Sequence, residues 1–315
     1  MRMARIKPKA IQRGATFGVV ATSSPVFDIS HQRRSVKRVT DAGYHLKFAE
    51  HSDERWGAMS GTGRDRADDL HAAFTDPDVD AVLALRGGYG GAEMLPHLDH
   101  RLIAANPKPF IGMSDVTILH TAIGQKAGLV TFWGPNLTAG LGKASAYTWE
   151  RFERALTGAD PLGMVDPDPD DAYVETIVGG VAEGELVGGT TTLLCATLGT
   201  PDEIDTAGKI LLLEDVAEEP YRIDGMLVHL AQAGKLQEAA GVVLSAHTDC
   251  RPKTFPAGQL GLGNVFDRIF QPLGIPAMHG LPLGHGAHLA TVPFGVDARL
   301  DADAGTLEIT GRATA

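Results

Sequence analysis

Short apolar runs and helix-length polar segments take turns along the first half of the chain. "TFGVVA" (16–21) reads as a buried strand, and "ISHQRRSVKRVTDAG" (29–43) as a helix with Gly43 at its C-terminal cap. "YHLKFA" is a second strand, followed by a helix from about Asp65 to Phe74 that stops at the Asp76-Pro77 turn signal. "AVLALRGGYGG" is a strand breaking into a glycine turn, and "AEMLPHLD" a short helix. "KPFIGMSDVTILHTAIGQKAG" then gives a strand, a sharp turn at Ser114 and a helix ending near Gly128, before the strand "LVTFWGP" (129–135). A β-α-β rhythm of this kind predicts an α/β fold with a parallel sheet and helices on both faces.

The rhythm fades at residues 158–178, rich in Pro, Asp and Gly, which reads as a linker between an N-terminal domain (1–157) and a C-terminal one (179–315). A chain of 315 residues, 43% hydrophobic, is long enough for two packed cores. Beyond the linker, residues 179–199 read as a turn followed by a helix, and "KILLLED" (209–215) as a strand ending in acids. "YRIDGMLVHLAQAG" (221–234) is an amphipathic helix with Ile223, Leu227 and Leu230 on one face. "AAGVVLSAH" (239–247) is another strand, and the C-terminus closes with a hairpin-like pair.

A formal charge of -11 and the lack of a Lys/Arg-rich run argue against nucleic acid or an anionic membrane as partner. Cys195 and Cys250 form neither a disulfide framework nor a CxxC, so a reducing compartment is expected. The basic start "MRMARIKPKAIQRG" followed by "FGVVA" imitates a secretory signal, but the apolar run is too short. No stretch approaches the roughly 18 to 20 apolar residues that cross a bilayer, and the expected location is cytoplasmic.

Ligands of open parallel sheets bind at the carboxyl ends of the strands. Four loops follow strands directly there: "SSP", "RGGYGG", "SD" and "ED". A serine on a tight strand-to-helix turn, with the next amide facing the same space, has the geometry of a nucleophile elbow. Ser114 and the Asp115 amide fit it, but G-M-S-D-V is not G-x-S-x-G, and either residue could instead cap the helix. Of the twelve histidines, His71, His97, His100, His120 and His229 lie in or beside helices and read as structural. His285, with glycines on both sides in "GLPLGHGAH", is the candidate base, with His288 and His247 as rivals. Glu214 or Asp215 could orient it, while Glu218 and Glu219 read as solvated. Arg86 could pair with a substrate carboxylate or form a structural salt bridge. "RGGYGG" is neither GxGxxG nor a Walker loop, HExxH spacing is missing, and neither a metal nor another cofactor is expected.

"DRADDLHAAFTDPDVDAVLALRGGYGG", "KPFIGMSDVT", "FWGP", "LLLEDVAEEPYRIDGML" and "GLPLGHG...VPFGVDARL" together resemble the LD-carboxypeptidase family of serine peptidases, from about residue 14 to 301. That family removes the terminal D-alanine of murein tetrapeptides and includes the microcin C immunity hydrolases. The resemblance implies a flavodoxin-like N-terminal domain, a smaller β-rich α/β C-terminal domain, a site between them, and commonly a homodimer. It puts the nucleophile at Ser114, the acid at Glu214 rather than Asp215, and the histidine at His285 rather than His288. The amides of Gly88 and Asp115 would then form the oxyanion hole, with Arg86 and Tyr89 as substrate-binding residues. The tyrosine-glycine form of "RGGYGG" looks like the murein enzymes rather than the immunity branch, whose substrates are peptidyl or aminoacyl nucleotides. A non-catalytic ligand-binding protein is the alternative of a different class. Two departures, "GGTT" (188–191) for "GGNL" and Met113 for an aromatic residue, bear on substrate fit.

Overall fold

A computed structural model describes residues 4–138, 140–254, 258 and 260–315. The chain divides into two compact units. The first runs to Asp160 and also takes Thr291–Gly295 and Arg312–Ala315; the second comprises Pro161–Ala290 and Val296–Gly311.

In the first unit β1 (Thr16–Val20), β2 (His45–Phe48), β3 (Ala81–Ala84), β4 (Phe110–Gly112) and β5 (Thr131–Trp133) are parallel, in the spatial order 2-1-3-4-5. That is the flavodoxin-like order, with its switch point between β1 and β3. A sixth strand, Val292–Phe294 (β12 along the chain), adds antiparallel to β5. The helices are α1 (Ile29–Asp41), α2 (Gly63–Thr75), α3 (His100–Ala105), α4 (Thr117–Ala122) and α5 (Ala146–Thr157). Alternation along β1 serves both faces of the sheet. Phe17 packs against Tyr44 and Phe152, whereas Val20 joins Leu70, Phe74, Val82, Phe110 and Leu119 in the core beneath α2 and α4. Each such fully buried side chain contributes about 1.5–3 kcal/mol relative to exposure. A capping box between Thr62 and Asp65 starts α2.

The second unit is built on one eight-stranded mixed sheet. Its strands are β6 (Gly163–Met164), β7 (Glu175–Val178), β8 (Val181–Thr190), β9 (Ile210–Glu214), β10 (Gly241–Leu244), β11 (Ala277–His279), β13 (Asp297–Asp301) and β14 (Thr306–Ile309), in the order 6-14-13-8-9-10-11-7. β8 to β11 are parallel, and antiparallel strands flank them on both sides. The helices are α6 (Thr191–Ala196), α7 (Pro220–Gln232) and α8 (Leu262–Phe270). Ile223, Leu227 and Leu230 of α7 are all fully buried, as their spacing predicts.

Two segments differ from the reading of the sequence. Residues 158–178 supply β6 and β7 to the sheet, so part of the expected linker is folded. Residues 179–199 hold a ten-residue strand and a six-residue helix, where a turn and a helix were expected. Gly184, Gly188 and Gly189 interrupt any side-chain period in that strand. Gly188 has φ +135°, and a Cβ there would meet Leu212 O at 2.0 Å, so close strand approach dictates the glycine. Among the described residues no helix is long and apolar enough to cross a membrane.

Candidate active site

In the first unit, β4 ends at Gly112 and the chain turns at Ser114 into a short 3-10 turn (Ser114–Val116) leading into α4. Ser114 has φ +69°, a left-handed backbone that a serine adopts only under constraint. Neither start of this helical stretch has a side-chain cap, and among the described residues of its unit Ser114 Oγ makes no hydrogen bond. The capping alternative therefore does not describe Ser114 or Asp115. The Asp115 carboxylate is buried and accepts the Gly91 amide at 2.7 Å; burial pushes its pKa up, opposed by Ser23, Gly91 and Arg66.

The glycine loop after β3 closes onto the same turn. A Cβ on Gly87 would lie 2.7 Å from Ser114 Cβ, and one on Gly88, at φ +127°, would lie 2.4 Å from Ser24 Oγ. Both positions need glycine for this loop and the turn at Ser114 to sit together. Among the described residues of its unit the Gly88 amide has no acceptor, while the Tyr89 amide donates to Ser24 Oγ at 3.1 Å. Tyr89 itself is 64% exposed. The Arg86 guanidinium donates to Pro25 O at 2.9 Å and lies over the Phe27 ring. It has no carboxylate partner among the described residues, which removes the salt-bridge reading.

Two positioning residues escaped the reading of the sequence. Arg66, fully buried in α2, donates through Nη1 to Thr22 O (2.8 Å) and Gly90 O (2.9 Å), and through Nη2 to Glu93, tying the loops after β1 and β3 together. Asn136 accepts from the Met113 amide (3.1 Å) and donates to the Met113 carbonyl (3.3 Å), clamping the residue before Ser114 from both sides. A side chain that pairs with backbone leaves no motif, so nothing in the sequence singled either out. His120 proves structural: its Nε2 bonds Gly112 O at 2.9 Å, and burial pushes its pKa down to about 4.

In the second unit, β9 ends in Glu214, whose side chain is fully buried. Its Oε2 lies 2.7 Å from His285 Nδ1, and its Oε1 accepts from Thr190 Oγ1. Thr190, one of the departures from the family pattern, thus holds the carboxylate directly. A Cβ on Gly284 would sit 2.9 Å from Glu214 Oε2, so glycine is required beside the histidine. Burial pushes His285 down, but the Glu214 hydrogen bond and charge, with Asp215, outweigh it and the net shift is upward. Burial raises Asp215 to about 6, and its carboxylate is engaged with the Thr192 amide and hydroxyl at 2.9 and 2.8 Å.

The rivals lie elsewhere. His288 Nε2 meets Asp170 at 2.9 Å and Asp168 at 4.0 Å; among the described residues these three could offer ligand atoms to one metal ion, although Asp170 is largely exposed. His247 is buried against Phe266 and His279, with Nδ1 2.8 Å from Ser245 O, and burial pushes it down to about 4. Glu219, expected to be solvated, is buried and accepts the amides of Lys253 and Thr254, because the loop folds back over it.

Residues 17–134 match the LD-carboxypeptidase N-terminal domain, and residues 183–300 the LD-carboxypeptidase C-terminal domain. A probable murein peptide carboxypeptidase of Bacillus subtilis (strain 168) is 38% identical over 297 residues, 94% of this chain and 91% of that one. A murein tetrapeptide carboxypeptidase of Pseudomonas aeruginosa is 36% identical over 263 residues, 82% and 83% of the two chains. The crystal structure of muramoyltetrapeptide carboxypeptidase from Oxalobacter formigenes is 30% identical, with a TM-score of 0.83 over 96% of this chain and 100% of that one. The chain belongs to the LD-carboxypeptidase family of serine peptidases.

Proposed function

We propose that the protein is a cytoplasmic serine LD-carboxypeptidase, active as a homodimer, that hydrolyses the L,D peptide bond to the terminal D-alanine of murein tetrapeptides. The observation that carries this reading is the left-handed turn at Ser114, which leaves a serine hydroxyl uncapped at the carboxyl end of a parallel strand. The 2.7 Å contact between His285 and Glu214 supports it by supplying an oriented base.

In the reaction, Ser114 Oγ attacks the peptide carbonyl and gives its proton to His285. Glu214 accepts from Nδ1–H of His285, fixing the tautomer in which Nε2 is the base, and stabilises the imidazolium. The amides of Gly88 and Asp115 take the oxyanion; one such donor contributes about 2.7 to 4 kcal/mol to transition-state stabilisation. The C–N bond breaks as His285 protonates the leaving D-alanine amine, and water then attacks the acyl-enzyme with His285 again as base. Arg86, which has no carboxylate of its own, is suited to the terminal carboxylate, and Tyr89 borders the same loop.

The test is D-alanine release from a murein tetrapeptide by wild type and by Ser114→Ala, with a chelator present. Chelator-resistant release that the substitution abolishes is expected. Release that survives Ser114→Ala overturns the nucleophile, and none from folded wild type shifts the substrate to the nucleotide peptides of the immunity branch. Light scattering tests the dimer.

A further inference from the structure

Glu214 and Ser245 occupy neighbouring places at the ends of two parallel strands. β9 and β10 pair with Leu213 opposite Leu244, so the next residue of each strand shares a level and a face. Leu211, Leu213, Val242 and Leu244 fill the core beneath α7 and α8, which turns Glu214 and Ser245 to the opposite face. Glu214 holds the His285 ring from there. Ser245, fully buried, holds the chain that leads to His285. Its hydroxyl donates to Leu281 O at 2.8 Å and accepts from the Leu283 amide at 2.9 Å, one bond on each side of Pro282. Pro282 has no amide of its own with which to fix this stretch.

Ser245 is itself anchored through its backbone. Its amide donates to Leu213 O at 2.9 Å, and its carbonyl oxygen lies 2.8 Å from His247 Nδ1. From Leu283 the path to the ring is two residues. A Cβ on Gly284 would meet Ala246 O and Glu214 Oε2, each at 2.9 Å, so the chain passes directly over the strand ends. The loop then closes on itself, the Ala290 amide donating to Pro282 O at 2.7 Å. A shift at residues 281–283 is therefore carried to His285, whose 2.7 Å contact with Glu214 tolerates little displacement.

We propose that Ser245 is a positioning residue for His285: its hydroxyl fixes the entry to the loop and thereby the placing of the imidazole on Glu214. The proposal rests on the reading of His285 as the base and adds what holds that base in place. Being buried, Ser245 acts through the backbone of residues 281–284.

Burial pulls the His285 pKa down, and the hydrogen bond and charge of Glu214, with Asp215, hold it up. A loosened loop weakens the contribution that depends on contact, so the ring should titrate lower. Ring-nitrogen NMR of the full chain with labelled histidine, assigned with His285→Gln, reads this titration without substrate. Ser245→Ala is expected to lower the His285 midpoint and to cut kcat for D-alanine release by about ten- to a hundredfold with KM nearly unchanged. Ser245→Cys fills the same space with only weak hydrogen bonds and gives the same reading should Ser245→Ala not fold. Thr206→Val removes another buried hydroxyl of this unit, one that donates to Lys235 O at 2.7 Å, and measures a loss of stability alone. It should leave the midpoint in place. Folded Ser245 variants that titrate and turn over like wild type, or shift no further than Thr206→Val, would overturn the positioning role. A midpoint lowered by Ser245→Ala in a protein whose wild type releases no D-alanine would sink the proposed reaction and leave the role of Ser245 standing.

Discussion

Glu214 Oε2 and His285 Nδ1 lie 2.7 Å apart although 71 residues separate them in the chain. Because the carboxylate raises the His285 pKa against the pull of burial, His285 can serve as the proposed base only above that raised value. Activity should therefore rise with pH through it. Glu214→Gln should move this acid limb to lower pH and cut kcat by about 10⁴-fold, the loss seen when a triad acid is made neutral. A pH profile of kcat/KM for both proteins reads both effects.

The left-handed serine carries a cost that glycine would not. Ser114→Gly should abolish turnover while raising the stability of the first unit by about 1 kcal/mol, within the 1–3 kcal/mol stored at such positions. Chemical denaturation followed by a probe in that unit checks it; a loss of stability would mean that the turn is not strained.

Asn136 holds Met113 by two hydrogen bonds, so Asn136→Ala strands a buried amide and a buried carbonyl. The expected loss is about 1–3 kcal/mol of stability. If the clamp positions Ser114, kcat should fall more than KM changes, and steady-state kinetics on the folded variant will show the split.

Thr190→Val removes the hydroxyl that donates to Glu214 Oε1 and leaves a buried carboxylate oxygen without it. The variant should lose activity, and Thr190→Ser should restore most of it. Equal loss in both would point to packing of the Thr190 methyl instead.

His120 and His247 are buried and neutral, each pushed down to about 4 from 6.5. Below pH 6.5 the unfolded chain binds protons that the folded one refuses, so each histidine lowers stability as pH falls towards 4, by about 1.4 kcal/mol per pH unit. Unfolding curves between pH 7 and 4.5 should show this fall, and His120→Gln should flatten it for the first unit alone.

By itself the sequence determined the α/β class, the parallel sheet with its glycine turns, the amphipathic α7 and the turn at Ser114. These are local: side-chain period, Gly and Pro chemistry and the reach of a strand-helix turn are set within a few residues. Resemblance to a family, not spacing, favoured Glu214 and His285 over their neighbours, and the structure brings these two side chains together while Asp215 turns to Thr192 and His288 to Asp170. Tertiary structure alone decided the rest. The strand at Val181–Thr190 hid behind glycines that serve close approach to β9, and Glu219 is buried by a loop more than thirty residues away. Arg66, Asn136 and Thr190 act through backbone or a buried carboxylate, contacts that exist only after distant segments have packed and that no local pattern encodes.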